Sequence, residues 1–232
     1  TLAERAAALN DPAGLVVMGE IHFRAGEVEP ARTLWAKAGP QGADLLKMID
    51  YRGKKAEPGA FALVPLPHVH QGWNNCGATS CTMFARSQGK SLGEWDYKKL
   101  CPGPLGTGTD WGDLLAASKK IGLKWKLVTF PPDDAGFDRA TAFARRELDA
   151  GRPLVIDLKY VGPEYPGGEA GHTLALVGYI ARDNLYVLCN PALPTPGLQL
   201  MTAADLKRDW RSDHYGRLSN NVLSRPAIVI DP

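Results

Sequence analysis

The sequence contains only four cysteines among its 232 residues, too few for a fold held together by disulfide bonds. No two of them have the spacing Cys-x-x-Cys, so a structural zinc site is not expected either. The default interpretation of such cysteines is that they are reduced and serve as small core residues. A single bridge between Cys81 and Cys101 stays open on sequence grounds.

The sequence also lacks a strong charge of either sign and any long apolar run. Its 27 lysines and arginines nearly balance its 25 aspartates and glutamates, and no basic stripe is interleaved with aromatics, so no nucleic-acid partner is predicted. Its most apolar runs, GLVVMG and TLALVGYI, are far shorter than the roughly 20 residues that span a membrane, and no signal peptide is visible. Because residue 1 is threonine, we expect that a segment preceded it, and the sequence assigns no cellular compartment.

The first 51 residues read as an all-helical unit. Asp11 is a plausible N-cap with Pro12 at the first helical position, and Gly26 ends the helix. A second helix follows over residues 29–38, and the pair is similar to one tetratricopeptide-like repeat. We expect this helical hairpin to cap the next unit, since a lone repeat leaves an unburied face. A peptide- or protein-binding role is the alternative.

Residues 52–60, RGKKAEPGA, read as a charged, turn-rich linker, and residues 61–232 as a second unit. Helices are predicted from Cys76 to Gln88, from an N-cap at Thr109 or Asp110, and in FDRATAFARRELDAG. Strand character follows in RPLVIDLKY, GHTLALVGYI, LYVLCNP and RPAIVI. Helices followed by consecutive strands with short turns indicate an α+β fold with an antiparallel sheet.

The segment QGWNNCGATSCTMF places a cysteine where a helix begins. A thiol attacks only as the thiolate, which a positive environment favours. The unpaired amides at a helix N-terminus supply such an environment. Asn74 or Asn75 as N-cap would put Cys76 in the first turn, and Gly77 would let a substrate backbone approach. Cys76 is therefore the candidate nucleophile.

A cysteine nucleophile needs a base, and the sequence offers five histidines. His172 opens an apolar strand directly after GGEAG and is the candidate base. His68 and His70, as His-x-His on one face of a strand, could chelate a metal, but no third ligand is evident. His22 and His214 are interpreted as ordinary helix and surface residues. No metal or cofactor is predicted.

The hairpin that follows His172 supplies a residue that could orient the imidazole. Its second strand, LYVLCNP, ends with Asn190. If Ile180 lies opposite Asn184 across a three-residue loop, His172 faces residue 192 and Asn190 is its diagonal neighbour on the same face. A two-residue loop would put Asn190 on the other face unless a bulge intervenes.

Gln71 completes the candidate site, because it lies a short turn before Cys76. Its side-chain amide and the Cys76 backbone N–H could point at one spot and form an oxyanion hole for an attacked carbonyl. Each candidate alone also has an ordinary structural explanation. Their combination in this order favours chemistry.

In this order the segments resemble the papain-fold cysteine peptidases, most closely the bacteriocin-processing, double-glycine-peptidase-like family and its free-standing bacterial relatives. The resemblance covers roughly residues 62–215 and rests on QGWNNCGATS, LDAGRPLVIDL, GHTLALVGYI, LYVLCNP and MTAADLKRDW. It implies a helical lobe carrying Cys76 against a sheet lobe carrying His172 and Asn190. Many members of the closer family have aspartate where this chain has Asn190, whereas papain itself uses asparagine.

The resemblance implies peptide-bond hydrolysis through an acyl-enzyme. Cys76 would be the nucleophile, His172 the base and then the acid, Asn190 the orienting residue, and Gln71 with the Cys76 amide the oxyanion hole. A peptide or protein substrate is expected, and the N-terminal helices could bind a protein partner. Two alternatives stay open: an acyltransferase using the same thioester, and a non-catalytic peptide-binding module. No Gly-x-x-x-x-Gly-Lys-Ser/Thr motif accompanies these segments, which argues against a transporter-fused enzyme in this stretch.

Overall fold

The computed structural model describes residues 2–51, 54–105, 107–160, 170–193, 195–212 and 224–231. Its helices are α1 (Leu2–Ala8), α2 (Pro12–Arg24), α3 (Val28–Lys37), α4 (Pro40–Met48), α5 (Cys76–Ser87), α6 (Glu94–Leu100), α7 (Trp111–Lys120), α8 (Asp134–Asp149) and α9 (Ala203–Asp209). Its strands are β1 (Phe61–Leu63), β2 (Trp125–Phe130), β3 (Leu154–Tyr160), β4 (Ala170–Ile180), β5 (Leu185–Cys189), β6 (Leu198–Thr202) and β7 (Arg225–Ile230). Within these ranges, no helix is long and apolar enough to cross a membrane.

The N-terminal region contains four helices rather than the expected hairpin of two, because α1 and α4 pack beside α2 and α3. The predicted start of α2 is confirmed: the Asp11 side chain accepts a hydrogen bond of 2.7 Å from the Gly14 amide. Trp35 lies fully buried at the centre of the four helices and donates from Nε1 to the Val16 carbonyl at 3.1 Å. The helices therefore share a core of their own.

The strands form one antiparallel sheet in the order β2-β7-β3-β4-β5-β6, and β1 pairs with β4 beyond the end of β3. Each described pair of neighbouring strands is antiparallel, so the predicted α+β class is confirmed. Consecutive residues of β3 point to opposite faces, as the strand period requires. Ile156 packs with α8 and α9, whereas Val155 packs with α5, α6 and α7.

The other predicted helices and strands are present, with ends close to the expected ones, but His68 and His70, which were expected on a strand, lie in a segment without regular secondary structure. Beyond the N-terminal helices, the additional elements are α6 and the strands β1, β2 and β6. β1 has only three residues, and the side chains of β2 and β6 are mostly half-buried at the two edges of the sheet. Edge strands carry a weaker apolar pattern than central ones, which is why the sequence did not reveal them.

The hairpin of β4 and β5 differs from its predicted form. Ile180 lies opposite Leu185, so the turn has four residues, and the expected three-residue loop with Ile180 opposite Asn184 was wrong. A bulge between Leu176 and Gly178 then shifts the register by one residue and brings Ala175 opposite Cys189. That is the register which the three-residue loop would have produced.

The bulge is held in place by β1 on the other edge of β4. The carbonyl of the extra residue, Val177, accepts a hydrogen bond of 2.7 Å from the Val64 amide, just past β1. Gly178 lies so close to β1 that a Cβ there would stand 2.5 Å from the Ala62 carbonyl oxygen. Glycine at 178 therefore permits the strand contact that fixes the register.

This close approach makes Gly178→Ala a test of the hairpin. Alanine would ordinarily suit a strand better than glycine. Here we expect a loss of about 1–3 kcal/mol in the free energy of unfolding, because either β1 or the bulge must move. Denaturant unfolding measures the loss. Gly108→Ala is the matched control, because an added Cβ meets nothing within 4 Å there. Equal stability of the two variants would contradict the proposed constraint.

Candidate active site

Cys76 is the first residue of α5, as the sequence predicts, and its side chain is half-buried. Asn75 occupies the N-cap position, but its side chain makes no capping hydrogen bond. Gly77 also differs from its expected role. A Cβ there would contact Leu114 on α7 at 3.4 Å, so Gly77 faces the helical core rather than an approaching substrate.

One cleft brings three of the four candidate residues together. It has a volume of about 410 Å³, and its lining includes Gln71, Trp73, Cys76, Gly171 and His172. The cleft lies between the start of α5 and the start of β4. Trp73 is 86% exposed and forms part of the cleft surface, which the sequence patterns did not single out. The fourth candidate, Asn190, lies behind His172.

His172 and Asn190 are joined by a hydrogen bond of 2.8 Å between the imidazole Nε2 and the Asn190 Oδ1. The same Oδ1 accepts from the Ala192 amide at 2.9 Å, and the Asn190 Nδ2 donates to the Gln199 Oε1 at 3.0 Å. Asn190 is buried, so this network is shielded from water. The geometry can hold the imidazole in one orientation.

The segment that carries Gln71 is fastened at two points. The backbone N–H of Gln71 donates to the Pro191 carbonyl at 2.8 Å, next to Asn190. The Gly72 amide donates to the Glu94 carboxylate at 3.0 Å, and the Thr79 hydroxyl donates to the same carboxylate at 2.6 Å. Glu94 thereby links the segment to α5. The sequence patterns did not identify Glu94, because its helix, α6, was not predicted.

Burial dominates the protonation of the two central groups. It raises the pKa of the Cys76 thiol, and hydrogen bonds from Thr173 and Gly77 oppose that rise only in part. It lowers the pKa of His172, against the opposing effect of the Asn190 hydrogen bond. The backbone hydrogen bond from Gly77 at the helix N-terminus lowers the pKa of Cys76, as expected, but burial outweighs it. Both shifts favour a neutral thiol beside a neutral imidazole.

A buried carboxylate lies close to this pair. Asp157 on β3 faces Thr173 in the antiparallel register and accepts its hydroxyl at 3.2 Å. Its negative charge raises the pKa of both Cys76 and His172, so it favours the protonated form of each group. The sequence analysis did not identify Asp157 as a site residue. Its segment, RPLVIDLKY, was considered only as a strand, because of its apolar residues.

The other three cysteines are buried and all four are free, so the bridge between Cys81 and Cys101 is absent. Burial raises the pKa of Cys81 well above its usual range and that of Cys101 and Cys189 to about 12. Cys81 packs in the core between α5 and α7, as its position along α5 predicts. Among the four thiols, only that of Cys76 is not buried.

The remaining histidines support the loop after β5 rather than a metal. His68 Nε2 lies 3.1 Å from the Asn190 carbonyl oxygen, and His70 Nδ1 lies 3.2 Å from the Leu193 carbonyl oxygen. His22 pairs with Glu27, and His214 lies outside the described residues. In the part of the chain that the structure describes, no three His, Cys, Asp or Glu side chains are grouped to hold a metal ion.

Comparison with solved structures identifies the fold. A double-glycine motif protease from an AMS/PCAT transporter, solved in complex with the leader peptide, matches at a TM-score of 0.51 and 15% identity, over 74% of this chain and 94% of the other. The peptidase domain of Streptococcus ComA, a bifunctional ABC transporter of a quorum-sensing pathway, matches at 0.50 and 16%, over 73% and 99%. No protein-family model and no curated protein sequence matches the chain. The expected papain-like peptidase fold is confirmed.

The differences among the thiols predict selective alkylation. Iodoacetamide should label Cys76 far faster than Cys81, Cys101 or Cys189, because Cys76 lines an open cleft whereas the other three thiols are buried away from the reagent. Peptide mass spectrometry after timed labelling measures the four rates. The Cys76 rate should keep rising above pH 8.5, the ordinary pKa of a thiol. Equal labelling of all four cysteines in the folded protein would contradict this reading of the site.

Proposed function

We propose that the protein is a cysteine peptidase in which Cys76, His172 and Asn190 form a catalytic triad. The observation that carries the proposal is the meeting of Cys76 and His172 in one cleft, with the His172 imidazole bound to Asn190 at 2.8 Å. The peptidase fold supports it independently. Each group alone has a structural explanation, but their convergence at a helix N-terminus fits nucleophilic catalysis.

The chemistry would begin with a proton transfer. Since the Nε2 of His172 is engaged with Asn190, Nδ1 is the nitrogen that would take the proton of the Cys76 thiol. The thiolate would attack the scissile carbonyl, and the oxyanion would be bound by the Cys76 backbone N–H and the Gln71 side-chain amide. The imidazolium would then protonate the leaving amine. Water would hydrolyse the thioester, with His172 again acting as base.

The raised pKa of Cys76 and the lowered pKa of His172 favour a neutral pair in the free protein, so the proton would move as the substrate is engaged. Closure of the cleft by a peptide would exclude water and place the carbonyl dipole beside the thiol. The role of Asn190 would then be to orient the imidazole rather than to supply charge. Asp157, the buried carboxylate, would favour the imidazolium once it forms.

The substrate would be a peptide or a protein segment. One of the structural neighbours is a peptidase bound to a leader peptide, and an extended peptide fits a cleft of about 410 Å³ that is open to solvent. Trp73, with its exposed ring at the cleft, would pack against a side chain of that peptide. The N-terminal helices would act as a cap on the peptidase unit or as a contact for a protein partner.

The deciding experiment is incubation with a peptide library, followed by trapping of the acyl-enzyme with acid and mass spectrometry. A peptidase gives an acyl adduct on Cys76 and two cleaved products, and the Cys76→Ala variant gives neither. An acyltransferase gives the adduct and frees the amine fragment, but it releases the acyl fragment only when an acceptor amine is added. A peptide that binds without an adduct or cleavage would overturn the proposal in favour of a binding module.

The proposed roles of Asn190 and Gln71 predict that their variants lose peptidase activity in different ways. Asn190→Ala should lower turnover by at least about tenfold, whereas Asn190→Asp should keep much of it, since a carboxylate also accepts the imidazole hydrogen. Gln71→Ala should slow hydrolysis roughly a hundredfold and leave alkylation of Cys76 nearly unchanged, because the oxyanion hole acts on the acyl transition state. Wild-type turnover in Asn190→Ala would mean that Asn190 is only a turn residue.

The lowered pKa of His172 predicts where kcat/KM falls as the pH is lowered. A neutral imidazole is needed as base, and a lowered pKa keeps it neutral further into acid. The midpoint of the acid limb of kcat/KM should therefore lie below about 6.5, the ordinary value for histidine. Initial rates between pH 4 and 8 measure it. A midpoint above about 6.5 would show that a nearby negative charge, rather than burial, determines the pKa of His172.

A further inference from the structure

The side chain of Asn190 presents two chemically different atoms, and only one suits His172. The atom facing His172 also receives the Ala192 backbone N–H at 2.9 Å. Because a backbone N–H can only donate, that atom must be the amide oxygen. His172 therefore carries its ring hydrogen on Nε2 and has its lone pair on Nδ1. With the amide turned over, an NH₂ group would face Nε2, and the tautomer that can act as base would be disfavoured.

Gln199 fixes the other end of this amide. Its Oε1 accepts the Asn190 Nδ2 at 3.0 Å, and it lies on a different strand, opposite Leu188. Because Asn190 is only 2% exposed, an Nδ2 without an acceptor would be left unsatisfied away from water, which is unfavourable. If the Asn190 amide turned over, its oxygen would face the Gln199 Oε1, and the Gln199 amide would have to turn over as well to donate to it. Gln199 thus reinforces the orientation that the Ala192 amide selects.

The strand that carries Gln199 is itself tied to the N-terminal helices. The next residue, Leu200, donates its amide to the Asp44 carboxylate of α4 at 2.8 Å. The preceding residue, Leu198, packs both in the core of the N-terminal helices and against the sheet. The position of Gln199 therefore depends on contacts outside the sheet.

We infer that Gln199 is a positioning residue, which holds the Asn190 amide with its oxygen toward His172, and that α4 holds Gln199 in place through Asp44. The catalytic consequence rests on the proposed peptidase function. The structural consequence, the ring tautomer of His172, does not, and it can be measured in a protein that cleaves nothing. Nothing in the sequence pattern suggested either residue.

The test uses the full chain labelled with nitrogen-15 histidine. The His172 Nε2–H signal, assigned by its loss in His172→Gln, should be sharp in the wild type because the hydrogen is bound and buried. Gln199→Met, which keeps the length but removes the acceptor, should broaden or lose this signal and lower turnover by about tenfold. Gln199→Glu keeps an acceptor oxygen and should retain the signal and turnover within about threefold.

Two further variants separate positioning from loss of packing. Gln41→Met is the matched control, since Gln41 lines the same cavity of about 300 Å³ beside α4 as Gln199 does. It should behave as wild type. Asp44→Ala should weaken the His172 signal in the same direction as Gln199→Met, but less. If it leaves the signal unchanged, the link through α4 is wrong.

The strongest test compares the effect of Gln199→Met in the wild-type chain with its effect in the Asn190→Asp variant. A carboxylate has two equivalent oxygens, so no amide needs to be oriented there. Gln199→Met should then leave the His172 signal and turnover nearly unchanged, whereas a purely structural role would cost the same in both backgrounds. An unaltered signal in Gln199→Met alone, or equal losses in both backgrounds, overturns the inference. A wild type that shows the signal and its dependence on Gln199 but cleaves no peptide overturns only the peptidase proposal.

Discussion

A one-residue bulge at Val177 decides which residues of β4 and β5 lie opposite each other, and the candidate site depends on that register. Side chains alternate between the faces of a strand, so a shift by one residue would turn Asn190 away from His172. The four-residue turn alone would produce that shift. The bulge reverses it, with the Val177 carbonyl bound by the Val64 amide beside β1.

The site brings a helix end and a strand start together across the same sheet. The Ser80 hydroxyl on α5 donates to the Thr173 carbonyl on β4 at 3.0 Å, one residue beyond His172. This contact joins the helix of the candidate nucleophile to the strand of the candidate base. Because it is buried, breaking it would leave an unsatisfied polar group, which makes relative motion of the two elements costly.

Burial also sets the chemistry available to the pair. In water a helix N-terminus and a nearby imidazole would favour the thiolate, but here loss of solvation favours the uncharged forms of Cys76 and His172. Hydrogen bonds then select orientation rather than charge. This accounts for a site in which the neutral amide of Asn190, fixed at both ends, can orient the imidazole without a negative charge of its own.

The sequence determined most of the local structure and the identity of the candidates. The caps at Asp11 and Asp110 and the apolar runs of the central strands fix where those elements lie, because each of these signals depends on only a few neighbouring residues. The likeness of QGWNNCGATS and GHTLALVGYI to a peptidase family likewise pointed to the fold that structural comparison confirmed. The division at residue 52 and the repeat-like character of the first helices stay predictions.

Only the tertiary structure decided what those residues meet. The bulge in β4 arises from a partner more than a hundred residues away, and no local pattern encodes it. The supports at Glu94 and Gln199 come from α6 and β6, two elements whose own sequence signals were too weak to predict. The pKa directions of Cys76 and His172 depend on how much protein surrounds each group. Burial and long-range hydrogen bonding are properties of the packed chain, so a reading of neighbouring residues cannot supply them.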